Sequence, residues 1–150
     1  METLIYRFER INYANVLEIE SWRYSGFETA LYMDRYHESK DRGDNPLKGP
    51  RGCFGFVAYN RDSELFGLME YYFEDDGIFL GLGINPKFIG RGLAQEYILD
   101  GIEFFKQHFK RNDKLKIEVH RKNIAAIKAY EKCGFKFSKR DGDILLYLQN

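Results

Sequence analysis

At 150 residues, with 23 basic and 23 acidic side chains that cancel, the chain suits a single domain, 1–150, large enough to bury about two thirds of its unfolded surface without staples. The balance leaves no basic field to recruit nucleic acid, no segment approaches the ~20 apolar residues of a membrane span, and METLIYRFER lacks the long apolar run of a signal peptide. Cys53 and Cys133 stand in no metal-ligand spacing and read as reduced thiols of a cytoplasmic protein, so neither a metal site nor redox chemistry is expected.

TLIYRF, residues 3–8, alternates in the manner of a first strand. The polar and aromatic stretch 14–36 reads as two short helices broken near Ser25-Gly26, and its aromatics Trp22, Tyr24 and Phe27 form either a ligand-facing wall or ordinary core. HESKDRGDNPLKGPRG, residues 37–52, is rich in glycine and proline and has no apolar period, which predicts a long surface loop of the kind that serves as a lid. CFGFVAYN (53–60) and ELFGLMEYYFE (64–74) predict a hairpin turning at Arg61-Asp62-Ser63, and Asp75-Asp76-Gly77 turns the chain into a third strand, IFLGLGINP (78–86). The period then changes. GRGLAQEYILDGIEFFKQHF (90–109) repeats Leu93, Tyr97, Ile98, Ile102 and Phe105 at helical spacing, with Gly101 weakening the middle. KLKIEVH (114–120) is a strand, a second helix follows, and FKFSKRDGDILLYLQ (135–149) is a hairpin turning at Asp141-Gly142. The strand, helix, strand unit from Ile78 to Val119 implies a parallel pair, and the whole reads as an α+β domain on one mixed sheet.

Two stretches carry chemistry. In INPKFIGRGLAQ, between strand and helix, Gly90 and Gly92 flank Arg91 where the helix should begin. Free N–H groups and the positive end of the helix dipole meet there, and glycine permits close approach, so an anion such as a pyrophosphate is the natural guest. The dinucleotide fingerprint fails because Gly81-Leu82-Gly83 runs into Pro86, and no Gly-Lys-Ser/Thr completes a Walker loop. The second stretch is NIAAIKAYEKCGF (123–135). Asn123 caps a helix that Gly134 ends, and seven residues at 3.6 per turn put Asn123 and Tyr130 on one side with the small Ala126 between. Such a strip either holds a thin extended ligand or simply packs, with Tyr130 as core and its hydroxyl satisfied.

A pyrophosphate joined to a long amide-bearing arm is the shape of coenzyme A. IGRGLA at 89–94 together with Asn123, Ala126, Tyr130 and Gly134-Phe135 resembles the GNAT superfamily of acetyl-CoA-dependent N-acetyltransferases over roughly residues 53–140, and ESWRYSGF (20–27) resembles a bacterial branch of it. The resemblance implies a mixed, mostly antiparallel sheet of about seven strands flanked by about four helices. It implies acetyl-CoA as co-substrate, contacted by Leu82, Gly83, Ile84, Ile89, Gly90, Arg91, Gly92, Leu93, Ala94, Asn123, Ala126 and Tyr130. Ile89 stands where the family usually has arginine or glutamine, and Ala94 where it often has a third glycine; both still offer backbone N–H groups.

The implied reaction is direct attack of a primary amine, small or peptide N-terminal, on the thioester, with Tyr130 hydrogen-bonding the departing thiolate. The segment around Glu118 resembles ribosomal-protein alanine acetyltransferases, which place a catalytic glutamate there. Glu118 is thus either the general base or a structural carboxylate, with Glu70 and His120 as rivals and a water relay from any of them sufficient. Acceptor selectivity is expected in residues 20–52, with Trp22, Tyr24 and Phe27 as the wall and Glu70 beside it. A homodimer is compatible with this reading, and a non-catalytic acyl-CoA-binding sensor is the alternative to an enzyme.

Overall fold

The fold comes from a computed structural model that describes residues 3–25 and 31–150. Its strands are β1 (Arg7–Arg10), β2 (Phe54–Tyr59), β3 (Leu65–Glu74), β4 (Gly77–Ile84), β5 (Leu115–His120), β6 (Phe135–Asp141) and β7 (Ile144–Gln149); its helices are α1 (Tyr13–Glu20), α2 (Asp34–Arg42), α3 (Ala94–Phe109) and α4 (Ile124–Lys132). The strands form one sheet in the order β1-β2-β3-β4-β5-β7-β6, antiparallel throughout except for the parallel β4 and β5. This is the α+β architecture expected from the sequence.

Alternation along β3 divides the core into two layers. Met69 and Tyr71 face one side, where Tyr97, Ile98, Ile102 and Phe105 of α3 and Tyr130 of α4 pack. Leu68 faces the other, with Val16 and Ile19 of α1 and Tyr36 of α2. Near its start β3 carries an extra residue: Ala58 pairs with Gly67 and Tyr59 with Leu65, which leaves Phe66 unpaired and turned into the α3 layer. Gly101, expected to weaken α3, has a packing reason: the end of the Met69 side chain occupies its space, with Cε 2.4 Å from where a Cβ would be, so a larger residue would require Met69 to move.

Three boundaries differ from the sequence reading. The first strand begins at Arg7, because the N–H groups of Ile5 and Tyr6 donate to Asp100 Oδ2 on α3, at 2.6 and 2.8 Å. Helix α2 starts at Asp34 and takes the first third of the expected loop; Met33, Tyr36 and Ser39 recur every three residues as its buried side, and Gly43 ends it at φ +81°. Helix α3 starts at Ala94 rather than Gly90, since Gly90 and Gly92 both take left-handed φ values. The expected break at Ser25-Gly26 falls partly outside the described residues.

The sheet's one parallel seam is short. β4 and β5 pair only at Ile78 with Leu115 and Phe79 with Lys116, and then diverge. Residues 80–84 of β4 therefore have an edge toward β5 with no strand against it.

Candidate active site

The divergence opens a cleft of about 450 Å³ between the end of β4, the turn before α3, and α4. Of the cofactor residues expected from the sequence, Leu82, Gly83, Ile84, Ile89, Gly90, Gly92, Leu93, Ala94, Asn123, Ala126 and Tyr130 all line it. Arg91 does not: its guanidinium turns to the Phe88 ring, 5.8 Å from the centroid, because the left-handed glycines on either side set the loop's backbone and leave this side chain outside. Sequence reading missed Phe88, Gln95, Ile98, Ala125, Lys128, Ala129 and Lys132. The two lysines, four residues apart, were legible as neighbours on one helix face and put positive charge on the wall.

Each wall offers a different kind of contact. Helix α3 begins with Leu93, which supplies no side-chain cap, so the first-turn N–H groups and those of the Gly90-Arg91-Gly92 turn remain for an anion. The unpaired edge of β4 can hydrogen-bond an extended amide chain as a missing strand would. On α4, Asn123 caps the helix by accepting from the Ala126 N–H at 3.3 Å, and Ala126 keeps the wall low. A pyrophosphate-bearing chain with amides fits these features.

Tyr130 is 8% exposed, yet its hydroxyl makes no hydrogen bond among the described residues. The Tyr97 hydroxyl, buried in the core, also has no partner among the described residues, so what sets Tyr130 apart is that it lines the cleft. Burial first, and Cys133 beside it second, push its pKa up to about 12. Against an alkyl thiol near 8.5, full proton transfer would be uphill by roughly 5 kcal/mol, which favours hydrogen-bond donation to a thiolate over proton transfer.

The expected acceptor residues divide. Tyr24 lines the same cleft and donates to the Ile84 carbonyl at 2.6 Å. Trp22 is buried in the α1/α2 layer and does not reach the cleft, since that layer needs its apolar bulk. Phe27 lies outside the described residues. Glu70 points from β3 into the α1/α2 layer, 8% exposed, with both oxygens held by tyrosine hydroxyls. Burial, the largest influence, raises its carboxyl above the ordinary carboxylate range against the pull of those hydrogen bonds. Glu118 alternates away from the buried Leu115, Ile117 and Val119; it is exposed on the face opposite α3 and makes no hydrogen bond or ion pair among the described residues. His120 accepts from the Lys122 N–H at 3.2 Å and lies 3.7 Å from Asp143.

Comparison with known proteins agrees with this geometry. Residues 13–135 match the model of the acetyltransferase (GNAT) family. A search of curated proteins by sequence finds no match. Among solved structures, a chimera of spermidine N-acetyltransferase SpeG from Vibrio cholerae and hSSAT superposes with a TM-score of 0.75 at 15% identity, covering 97% of this chain and 95% of that one. The Campylobacter jejuni N-acetyltransferase PseH gives 0.69 at 19% identity over 97% and 98%. Spermidine N-acetyltransferase from Vibrio cholerae in complex with CoA and spermine gives 0.65 at 16% over 96% and 93%. Among the described residues no helix is long and apolar enough to cross a membrane. With an uncapped helix start for the pyrophosphate and an open strand edge for the amide arm, the chain belongs to the acetyltransferase (GNAT) family and is an acetyl-CoA-dependent acyltransferase.

Proposed function

We propose that the protein moves the acetyl group of acetyl-CoA to a primary amine by direct attack of the amine nitrogen. The observation that carries this is the place of Tyr130 on the cleft wall, its hydroxyl unpartnered among the described residues, because a module that only bound acyl-CoA would need no donor there. Bound acetyl-CoA supplies the acyl group as a thioester. The turn from Gly90 to Leu93 and the start of α3 hold its pyrophosphate, the β4 edge and Ala126 orient the arm, and Tyr130 hydrogen-bonds the sulfur as it leaves.

The amine arrives on the other face of the sheet. Glu118 stands there, with Glu74, Asp75 and Asp76 at the turn between β3 and β4, and this acidic rim draws a cationic acceptor, a small amine or a peptide N-terminus. Such an amine must lose a proton before it attacks. At pH 7 an α-amine of pKa near 7.8 is about one tenth neutral and a lysine near 10.4 only about 0.04%. Glu118 and Glu70 are two carboxylates of that face placed to take the proton. The setting is cytoplasmic, with both thiols free.

The test is acetyl-CoA with the purified protein against polyamines, amino acids and N-terminal peptides, reading thiol release. Turnover of at least one cationic amine is expected. Tight acetyl-CoA binding with no turnover of any amine would favour the sensor reading instead.

A further inference from the structure

Glu70 stands where a large hydrophobe would be ordinary. Its cross-strand neighbours are Gly55 on β2 and Gly81 on β4, which leave it space on both sides. Two tyrosines fill that space: Tyr36 from α2 donates to Oε2 at 2.5 Å, and Tyr72, two residues along β3, donates to Oε1 at 2.9 Å. Cys53 lies 3.9 Å from the Tyr36 hydroxyl. A Cβ on Gly55 would sit 2.3 Å from Tyr36 Oη, so glycine is a condition for the contact. No cation touches the carboxylate among the described residues; Arg51 lies over the Tyr72 ring, 4.7 Å from its centroid, and pairs with Glu74 at 3.1 Å. A buried carboxylate held only by neutral donors is a costly way to fill a core.

Among the described residues the network has one way out. Tyr36, Cys53 and Glu70 are buried, while Tyr72 is partly exposed. The Tyr72 ring covers Gly81, with Cε2 3.1 Å from where a Cβ would be. At Gly81 β4 has already lost its β5 partner, and Gly83, the next residue on that face, lines the cleft about 7 Å further on. The buried carboxylate thus ends, through one tyrosine hydroxyl, at the opening in the sheet where cleft and acceptor face meet.

We infer that Glu70 receives the acceptor's proton through the Tyr72 hydroxyl, an inference that rests on the acetyl-transfer reading. The ammonium gives a proton to Tyr72 Oη as the Tyr72 proton passes to Glu70 Oε1, which leaves a neutral amine and a neutral carboxyl. The freed lone pair forms the C–N bond as the C–S bond breaks, and sulfur leaves with the electron pair. The nitrogen's second proton goes to the sulfur, and Glu70 returns its own to water by way of Tyr72. Tyr72 touches the acceptor; Glu70 is a positioning residue for the proton. Among the described residues, the charged and titratable groups facing Glu70 are Tyr36 from α2, Tyr72 from its own strand, and Cys53 and Arg51 from the segment before β2, while Gly55 and Gly81 bring none.

The experiment compares kcat/KM against pH for wild type, Glu70→Gln, Tyr72→Phe and Glu118→Gln, with two amines of different basicity so that the acceptor's own titration can be separated. Glu70→Gln should lose roughly 10²-fold in kcat, and the limb that rises with pH should flatten, with acetyl-CoA affinity unchanged. Tyr72→Phe should follow it, and being partly exposed it decides the matter should Glu70→Gln fail to fold. Glu118→Gln should raise the acceptor KM and keep the limb. A second readout needs no turnover. Because burial raises Glu70 in the fold, its contribution to stability is present below the ordinary carboxylate range and is lost as pH rises through its folded pKa. Glu70→Gln should therefore gain in Tm over wild type on going from about pH 4 to about pH 8. The inference fails if Glu70→Gln and Tyr72→Phe keep the limb and the rate, or if Glu118→Gln alone removes the limb. Absence of turnover by the wild type with every amine would overturn the acetyl-transfer reading itself, a different result.

Discussion

The α3/α4 face of the sheet and the α1/α2 face are built from different materials. The cleft beside α3 and α4 is made of glycine turns, an uncapped helix start, a bare strand edge and alanines, so it is a surface of backbone. The face beside α1 and α2 is made of large side chains brought from separate segments: Tyr36 from a helix, Cys53 from a turn, Glu70 and Tyr72 from a strand. Backbone donors suit a ligand of fixed shape that many proteins share. Side chains suit a partner to be chosen, because each can change alone without refolding the scaffold.

The sharpest way to break this division is Tyr130→Phe, a point where the backbone-built cleft relies on a side-chain hydroxyl for the chemistry rather than for binding. Turnover should fall by roughly 10² to 10⁴ while acetyl-CoA affinity stays within about twofold, measured by steady-state rates and calorimetry. Wild-type turnover under conditions where chemistry limits would return Tyr130 to the core. Next comes Gly92→Val. Nothing lies within 4 Å of a Cβ there, but φ is +73°, which a β-branched residue rarely adopts, so the turn must rearrange. Acetyl-CoA at a hundredfold excess over Kd should stabilise the wild type by about 2.7 kcal/mol, and the variant should show little of that thermal shift at the same concentration.

On the acceptor face the equivalent change is Gly55→Ala, which pushes a methyl into Tyr36. A loss of about 1 to 3 kcal/mol in urea unfolding is expected, with turnover reduced and acetyl-CoA binding intact. If acetyl-CoA binding fell in step, the two faces would be one site. The smallest effect is Tyr24→Phe, which removes the donor to the Ile84 carbonyl. About 1 kcal/mol, or a several-fold weaker acetyl-CoA by titration, is expected. An effect confined to the acceptor KM would move Tyr24 back to the acceptor wall, where its sequence position had put it.

That difference between faces also explains what could be read before folding. The glycine turn and the span from Asn123 to Tyr130 are contiguous, and their spacing encodes geometry, so two walls of the cleft were visible in two short strings, while Phe88, Gln95, Ile98, Ala125, Lys128, Ala129 and Lys132 were not. The long helix, the hairpins and the mixed sheet followed from periods of 3.6 and 2. Tyr36 and Glu70 lie in different elements, and only the register that sets Gly55 and Gly81 beside Glu70 brings them together. Trp22 and Tyr24 sit two residues apart with opposite fates, one in the core and one in the cleft, and aromatic content cannot tell them apart. Helix α2 was hidden because its mean composition is polar and its buried side is only Met33, Tyr36 and Ser39. The start of β1 was misplaced because Asp100, more than ninety residues away, takes the amides of Ile5 and Tyr6.

The short seam between β4 and β5 has a consequence for the protein without its co-substrate. Two residue pairs join a four-stranded half-sheet to a three-stranded one, so an unpaired edge lies inside the sheet rather than at its border. Edges of that kind recruit other strands, and natural proteins usually shield them. Those amides of residues 80–84 that point away from β3 should exchange with deuterated solvent faster than those of β3 beside them, and should slow when acetyl-CoA occupies the gap. By the same reasoning the free protein should be the more prone to aggregate on heating, and acetyl-CoA should suppress that loss by covering the edge, even where no acceptor is present and no reaction occurs.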